Sequence, residues 1–300
     1  MTTPVLITLD GNTALRDGLL AQTGFSAGDC EWRHFPDGES YVRVHGDCSS
    51  QDVVIQCGLQ HPDRIAMPLM FCVDTLRELG ARSVGLIAPY LAYMRQDHRF
   101  HNGEALSARL FARFLSAHID WLVTVDPHLH RYQDLAEIYS IPCATLSAMP
   151  LLAQWIKREV ARPLLIGPDS ESAQWVKAVA AVVESPYTVL SKTRHGDRDV
   201  EVSVPDIDEW RGYTPVLIDD IISTGHTLLE AVAHLRRAEF PPAVCIAVHG
   251  LFADHTDMKL HSAGVARVVT TNSIMHASNA VDLSSVIAQG AVRFLTQPQT

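Results

Sequence analysis

Several kinds of signal are missing from this chain, and each absence removes a class of function. No run of about 18 apolar residues occurs, so neither a membrane-spanning helix nor a membrane partner is expected. No block of Lys and Arg stands anywhere, and the formal net charge is -10. A general nucleic-acid binder carries a basic stripe, so no nucleic-acid partner is expected. The six cysteines, Cys30, Cys48, Cys57, Cys72, Cys143 and Cys245, form no CxxC. Cys57, Cys72 and Cys245 lie in or beside apolar runs, as core thiols do. With no basic-then-apolar leader at the start, a reducing cytoplasm is the expected setting. The 15 histidines make no HExxH and no Cys/His zinc spacing. A GxxxxGK[S/T] loop is absent, as is an HRD and DFG pair, which excludes a P-loop kinase and a protein kinase.

What is present is a chain of 300 residues, 47% hydrophobic, long enough for two domains of about 150 residues. Short apolar runs alternate with helical patterns. In the first half Val5–Asp10, Asp52–Gly58, Ser83–Tyr90 and Trp121–Asp126 read as strands. Arg64–Leu79 carries Ile65, Leu69, Cys72, Leu76 and Leu79 at the spacing of one helical face, and Gly80 supplies a stop. Glu104–Leu115 reads as another helix, and Trp32–Phe35 with Tyr41–Val44 as a hairpin turning at Asp37–Gly38.

In the second half Pro163–Gly167, Tyr187–Lys192, Pro215–Ile222, Ala243–Leu251, Arg267–Thr271 and Val292–Leu295 read as strands. Met149–Val160, Ser172–Val182, Thr227–Arg237 and Asp282–Ala288 read as helices. The alternation implies an α/β fold with mostly parallel sheets flanked by helices. The domain boundary is expected near residues 142–148, and the similar plan of the halves hints at duplication.

Val216–Thr227, VLIDDIISTGHT, is the segment on which the functional reading turns. An apolar strand runs into Asp219 and Asp220, then Ile221 and Ile222, and then the turn Ser223-Thr224-Gly225-His226-Thr227 before a helix. Ligands of α/β sheets bind beyond the carboxyl ends of strands. Backbone N–H groups of Gly225, His226 and Thr227 at a helix start can hold a phosphate, joined by the hydroxyls of Ser223, Thr224 and Thr227. Asp219 and Asp220 suit ribose hydroxyls or a bound Mg2+ instead. A lone Ser-Thr-Gly turn reads as an ordinary helix cap; two adjacent acids closing a buried strand argue for a site.

Other segments add chemistry. In Phe35-Pro36-Asp37-Gly38-Glu39 an aromatic ring can stack on adenine, and Asp37 and Glu39 can accept from its amine or from ribose; a plain tight turn with exposed acids has the same letters. Arg95 and Arg99 stand four apart and share a face if helical. Their guanidinium groups suit polyphosphate oxygens, and a salt-bridged surface segment is the alternative. After Asp126-Pro127, either His128 or His130 can offer a nitrogen to a metal held mainly by phosphate oxygens, and the spacing does not choose between them. Asp169 follows the strand Leu164–Ile166, so Asp126, Asp169 and Asp219/Asp220 all tip strands. Buried unpaired acids are costly, and a shared metal–phosphate centre would explain them. Lys192 and Arg194 precede the polar segment His195–Asp199, which reads as a lid that carries two cations over phosphates.

These motifs, in this order, resemble the ribose-phosphate diphosphokinase (phosphoribosyl pyrophosphate synthase) family. The likeness runs through nearly the whole chain. It implies two tandem phosphoribosyltransferase-type domains, at 1–145 on the nucleotide side and 146–300 on the ribose 5-phosphate side, with the last segment packing back on the first. The implied reaction moves the diphosphoryl group of ATP to the C1 hydroxyl of ribose 5-phosphate. By resemblance, Phe35, Asp37, Gly38, Glu39, Arg95, Gln96, Asp97 and Arg99 bind ATP. His128 and Asp169 hold Mg2+, Lys192 and Arg194 are catalytic, and Arg194 with Asp219, Asp220 and Ser223–Thr227 binds the ribose phosphate. The resemblance also implies a homo-oligomer, dimer or hexamer, in which a neighbouring subunit lends part of the nucleotide site.

The chain departs from the family pattern in places. Ser170-Glu171-Ser172-Ala173 stands where a glycine-containing stretch is usual, with Ser170 and Ser172 able to cap the next helix. Ser223 stands where Asp is common, and His226 where a small residue is common. A phosphoribosyltransferase explains Val216–Thr227 equally well but not Phe35–Glu39 and Arg95–Asp97 together. A diphosphokinase for another ribose phosphate fits the Ser170–Ser172 departure. A non-catalytic regulatory homologue would be expected to lose His128, Asp169, Lys192 or Arg194, and this chain keeps them.

Overall fold

The computed structural model describes residues 3–129, 131–169, 172–194, 200–203 and 208–296. In chain order the elements are β1 (Val5–Thr8), α1 (Thr13–Thr23), β2 (Ser26–Ala27), β3 (Asp29–His34), β4 (Ser40–His45), β5 (Asp52–Gln56), α2 (Pro62–Glu78), β6 (Ser83–Ala88), α3 (Ser107–Ser116), β7 (Trp121–Val125) and β8 (Cys143–Leu146). They continue with α4 (Met149–Glu159), β9 (Pro163–Gly167), α5 (Ala173–Val183), β10 (Tyr187–Val189), β11 (Ser191–Arg194), β12 (Val200–Ser203) and β13 (Thr214–Ile222). The last are α6 (His226–Arg237), β14 (Val244–Gly250), α7 (Thr256–Ser262), β15 (Arg267–Thr271), β16 (Asn279–Val281) and α8 (Ser284–Thr296). They form two compact units. The first holds the described residues up to Ser147, Ser273–Met275 and those from Leu283 onward; the second holds Ala148–Asn272 and His276–Asp282.

In the first unit a six-stranded parallel sheet runs β2-β1-β5-β6-β7-β8. Its middle strands β5, β6 and β7 are buried along their whole length, which is why they read as continuous apolar runs rather than alternating ones. α2 ends as the sequence suggests: Gly80 (φ +84) donates to the Arg77 carbonyl and Ala81 to that of Leu76, the paired bonds that close a helix on a left-handed residue. The β3–β4 hairpin pairs Asp29–His34 with Ser40–His45. Trp121 of β7 lies where a Cβ on Gly85 would stand, and its ring stacks on Phe294 at 5.0 Å.

The second unit repeats the plan with the parallel order β10-β9-β13-β14-β15-β16. Its core gathers Leu164, Ile166, Leu217, Leu228, Leu235 and Cys245 between the sheet and its helices. Leu164, Leu165 and Ile166 are 0–1% exposed, so the sheet is covered on both faces.

Three expectations need correction. Val292–Leu295 is not a strand but the last turns of α8, which starts near the expected Asp282–Ala288 helix and continues through Gly290. Gly290 is no breaker there: a Cβ would press on Leu146 at 3.1 Å, so glycine lets the helix approach β8. The expected strand Tyr187–Lys192 divides at Leu190 into β10, in the sheet, and β11, which pairs with β12 in a separate antiparallel ribbon. The expected helix Glu104–Leu115 begins only at Ser107.

Candidate active site

The segments carrying Arg95–Arg99, Asp126–His128, Asp169 and Ser223–Gly225 leave the carboxyl ends of parallel strands. In the second unit β9 and β13 are neighbours, with Leu217 beside Ile166. Asp169 and Asp220 each stand three residues beyond that pair, which brings their strand ends level. Asp219 and Asp220 are themselves part of β13 rather than beyond it, and Asp219 pairs with Ala247 of β14. The Asp220 N–H donates to Asp219 Oδ1 at 2.9 Å. Burial first, and then the charges of Asp220 and Asp169, push the Asp219 carboxyl well above the usual carboxylate range. Three carboxyls thus crowd one strand edge, an arrangement that favours a cation or a hydroxyl-bearing ligand.

The loop Ser223–Gly225 joins β13 to α6. Gly225 has φ +65, and a Cβ there would collide with the methyl group of the buried Thr256. Only glycine lets the backbone enter α6 in this way, and the helix opens with N–H groups that the helix itself leaves unbonded. Ser223 and Thr227 are partly buried and Thr224 is exposed. The His226 side chain pairs with Glu230 one turn along, its Nε2 at 3.0 Å, which leaves the backbone N–H, the group expected to serve the loop.

Asp169 is held by its own turn. Its Oδ1 accepts the Ser172 N–H at 3.1 Å, and Ser172 Oγ donates back to the Asp169 carbonyl at 2.7 Å. Ser172 occupies the cap position of α5, but its hydroxyl serves Asp169 and makes no bond to the helix, contrary to the expected side-chain cap. Ser170 and Glu171 lie outside the described residues, as do His130 and the expected lid His195–Asp199. Lys192 and Arg194 stand in β11, paired with Val202 and Val200 of β12.

In the first unit β6 and β7 are parallel neighbours. The chain leaving β6 carries Arg95–Arg99, and the chain leaving β7 carries Asp126–His128. The segment 91–100 is a series of turns, so Arg95 and Arg99 do not share a helical face. Arg99 donates to the Glu104 carbonyl at 2.8 Å, while Arg95 is exposed and has no partner among the described residues. Gln96 accepts from Ser107 Oγ at 3.0 Å, which ties the turn to the start of α3. Asp97 is 7% exposed and accepts from Arg131 at 2.6 Å, and its carbonyl accepts from Tyr132 at 3.3 Å. The two loops are therefore bound to each other, and the Asp97 carboxylate is turned inward to Arg131. Asp126 and His128 both have positive φ, +36 and +54, on either side of Pro127, with the His128 N–H donating to the Asp126 carbonyl at 2.9 Å. Such backbone is costly for residues other than glycine and gathers at functional loops.

Phe35–Glu39 forms the hairpin tip. Phe35 N–H donates to Glu39, Gly38 N–H to Phe35, and Glu39 N–H to the Asp37 carboxylate, with Gly38 at φ +95. Phe35 is 38% exposed, with the Arg33 guanidinium 4.5 Å from its ring centre and Tyr41 at its edge. Arg33, Tyr41, Arg131 and Tyr132 were missed in the sequence because each acts through another residue. A cation or aromatic two residues from a turn carries no motif of its own.

Residues 4–118 match the pattern of the N-terminal domain of ribose phosphate pyrophosphokinase, and residues 135–285 match a phosphoribosyl transferase domain. A ribose-phosphate pyrophosphokinase of Methanobrevibacter smithii is 33% identical over 270 residues, 86% of this chain and 90% of the relative. One of Methanothermobacter thermautotrophicus is 34% identical over 259 residues, 86% and 89% of the two chains. The chain belongs to the ribose-phosphate pyrophosphokinase family. Its fold agrees: the phosphoribosylpyrophosphate synthetase of Mycobacterium smegmatis superposes with a TM-score of 0.84 over 98% of this chain and 99% of that one, at 23% identity. Ribose-phosphate pyrophosphokinases are transferases of nucleotide biosynthesis, and both halves of this member have the parallel α/β form expected of phosphoribosyltransferase-type domains.

Proposed function

We propose that the chain transfers the β,γ-diphosphoryl group of ATP to the anomeric hydroxyl of ribose 5-phosphate, giving phosphoribosyl pyrophosphate and AMP. Membership of the family over both halves carries this reading. The strand-end acids beside the Ser223–Gly225 loop support the ribose side. In this reading the loop and the start of α6 hold the 5-phosphate, and Asp219 or Asp220 orients the ribose hydroxyls. The C1 oxygen attacks the β-phosphorus, the bond from that phosphorus to the α-phosphate oxygen breaks, and AMP leaves. The proton of the C1 hydroxyl passes to water. Lys192 and Arg194 meet charge developing on the transferred group, and alignment supplies most of the acceleration. Phe35, Asp37, Gly38 and Glu39 take the adenosine. Arg95, Gln96 and Arg99 serve the phosphates, and Asp97 holds their loop in place.

The donor set fits Mg2+. Among the described residues no group of three or more His, Cys, Asp or Glu side chains could hold a metal by itself. Mg2+ commonly takes one or two protein ligands and fills its shell with phosphate oxygens and water. His128 and Asp169 would hold it, and it would neutralise phosphate oxygens. The positive charge would also relieve the crowding at Asp219.

The chain works as a homo-oligomer, dimer or hexamer, in the cytoplasm. The exposed tip Phe35–Glu39 and the exposed Met67 and Phe71 of α2 support a subunit contact on this unit. Light scattering should give a mass of two or six chains.

Purified chain with ATP, Mg2+ and ribose 5-phosphate should form AMP in proportion to sugar consumed. Formation of ADP, or AMP that does not depend on the sugar, would refute the reading.

A further inference from the structure

The two units repeat one plan position by position. Each runs from a first central strand (β1, β9) through a helix (α1, α5) to an edge strand (β2, β10), then to an antiparallel pair (β3–β4, β11–β12). Each continues with a second central strand (β5, β13), a helix (α2, α6) and three more parallel strands. Asp10 after β1 therefore stands where Asp169 stands after β9. Their bonds match as well: Asp10 accepts the N–H of Asn12, the cap of α1, at 3.0 Å, as Asp169 accepts that of Ser172, the cap of α5, at 3.1 Å. The counterpart of the Ser223–Gly225 loop is the turn between β5 and α2.

At that place the first unit has a cavity of about 230 Å3, walled by Asp10, Trp32, Gly58, Gln60, His61 and Arg64. Asp10 is not its open function. The carboxylate already accepts from Gly58 N–H at 2.6 Å, Asn12 N–H at 3.0 Å and Gln56 Nε2 at 3.2 Å. Nor is the helix start, since Pro62 has no N–H and the Arg64 N–H donates to the His61 carbonyl. The free chemistry lies in side chains. His61 and Arg64 are exposed, and neither side chain has a partner among the described residues. Gln60 has its Oε1 buried without a donor, so a ligand hydroxyl can supply one. The Trp32 indole is anchored by its N–H to the Leu9 carbonyl at 2.8 Å and gives a fixed apolar wall. A cationic guanidinium, an imidazole and an amide beside an aromatic surface suit an anionic head on a small ring.

We propose that this cavity is a second phosphate-ester site, binding a small sugar monophosphate with its phosphate against Arg64 and His61, a sugar hydroxyl on Gln60 and its sugar ring against Trp32. The site binds without catalysing, and it lies at the base of the hairpin whose tip is Phe35–Glu39. The analogy rests in part on reading Ser223–Thr227 as the phosphate loop; the donors of the cavity do not.

Equilibrium dialysis of the full chain with labelled ribose 5-phosphate tests this. The wild type should bind two equivalents per chain. H61A/R64A should weaken one of them at least tenfold and keep AMP formation. Thr227→Val should weaken the other and lose AMP formation. W32F, which keeps the cationic groups, should weaken the same equivalent as H61A/R64A in the dialysis and keep AMP formation. One equivalent in the wild type, or two that H61A/R64A leaves unchanged, would overturn the proposal. Inorganic phosphate competing for the cavity as well as ribose 5-phosphate does would overturn the sugar assignment. Two equivalents without any AMP formation would refute the proposed function while supporting this site.

Discussion

Arg131 donates to the buried carboxylate of Asp97 across 2.6 Å, and that bond joins the chain leaving β6 to the chain leaving β7. The first chain carries Arg95 and the second His128. Removing Arg131 leaves a buried carboxylate without its charged partner. Arg131 itself is half exposed, so water recovers part of the loss. R131A is expected to lose about 1–2 kcal/mol in urea unfolding and to raise the KM for ATP more than that for ribose 5-phosphate. Equal effects on both substrates would contradict the positioning role.

Gly225 is expected to tolerate no side chain. G225A places a Cβ at positive φ and against Thr256, at a cost of about 2 kcal/mol. The KM for ribose 5-phosphate should rise at least tenfold with the KM for ATP nearly unchanged, as read from steady-state kinetics.

Asp219 and Asp52 have opposite pH signatures. Burial and its acidic neighbours hold the Asp219 carboxyl above its unfolded value, so the folded chain binds the extra proton. Stability from this group is greatest below the unfolded carboxylate range and falls as pH rises toward the folded value. D219N should therefore melt higher than the wild type at pH 7, lose that advantage near pH 3, and lose activity throughout. A lower melting temperature at pH 7 would show that the charge is already compensated.

Asp52 behaves the other way. It accepts from Arg82 and, at 2.7 Å, from Ser83, and the Arg82 bond is the main reason its carboxyl lies below the ordinary range. Its contribution is full above the unfolded value of about 4 and is lost as pH falls through the folded one. D52N should lower stability by about 1 kcal/mol at pH 7, with the exposure of Arg82 limiting the loss, and the two proteins should converge once pH has fallen below the folded value. Urea midpoints across pH 2–7 decide this.

The central strands were legible because β5, β6, β7 and β13 through Ile218 are buried on both faces and so are written in unbroken apolar letters. Their ends were less so. Asp52–Gly58 was read past Gln56 because the chain stays buried after the ladder stops. α1 escaped notice since Gly18 weakens its helical pattern, yet Gly18 is the point where the helix meets Ser284 of α8. That contact, like Gly290 on Leu146, joins residues far apart in sequence, and no local pattern contains it. At the site, the acids and the Gly225 turn were legible as chemistry. The inward use of Asp97 and the pairing of His226 with Glu230 were not, because letters do not give direction.

The most direct measurement is phosphorus NMR of the chain turning over ATP and ribose 5-phosphate with Mg2+. The account predicts that the β- and γ-phosphorus signals of ATP give way together to a diphosphate on the sugar C1, with AMP as the only other phosphorus product. Transfer of the γ-phosphorus alone with ADP formed, or a diphosphate that appears only with a different phosphorylated sugar, would contradict it.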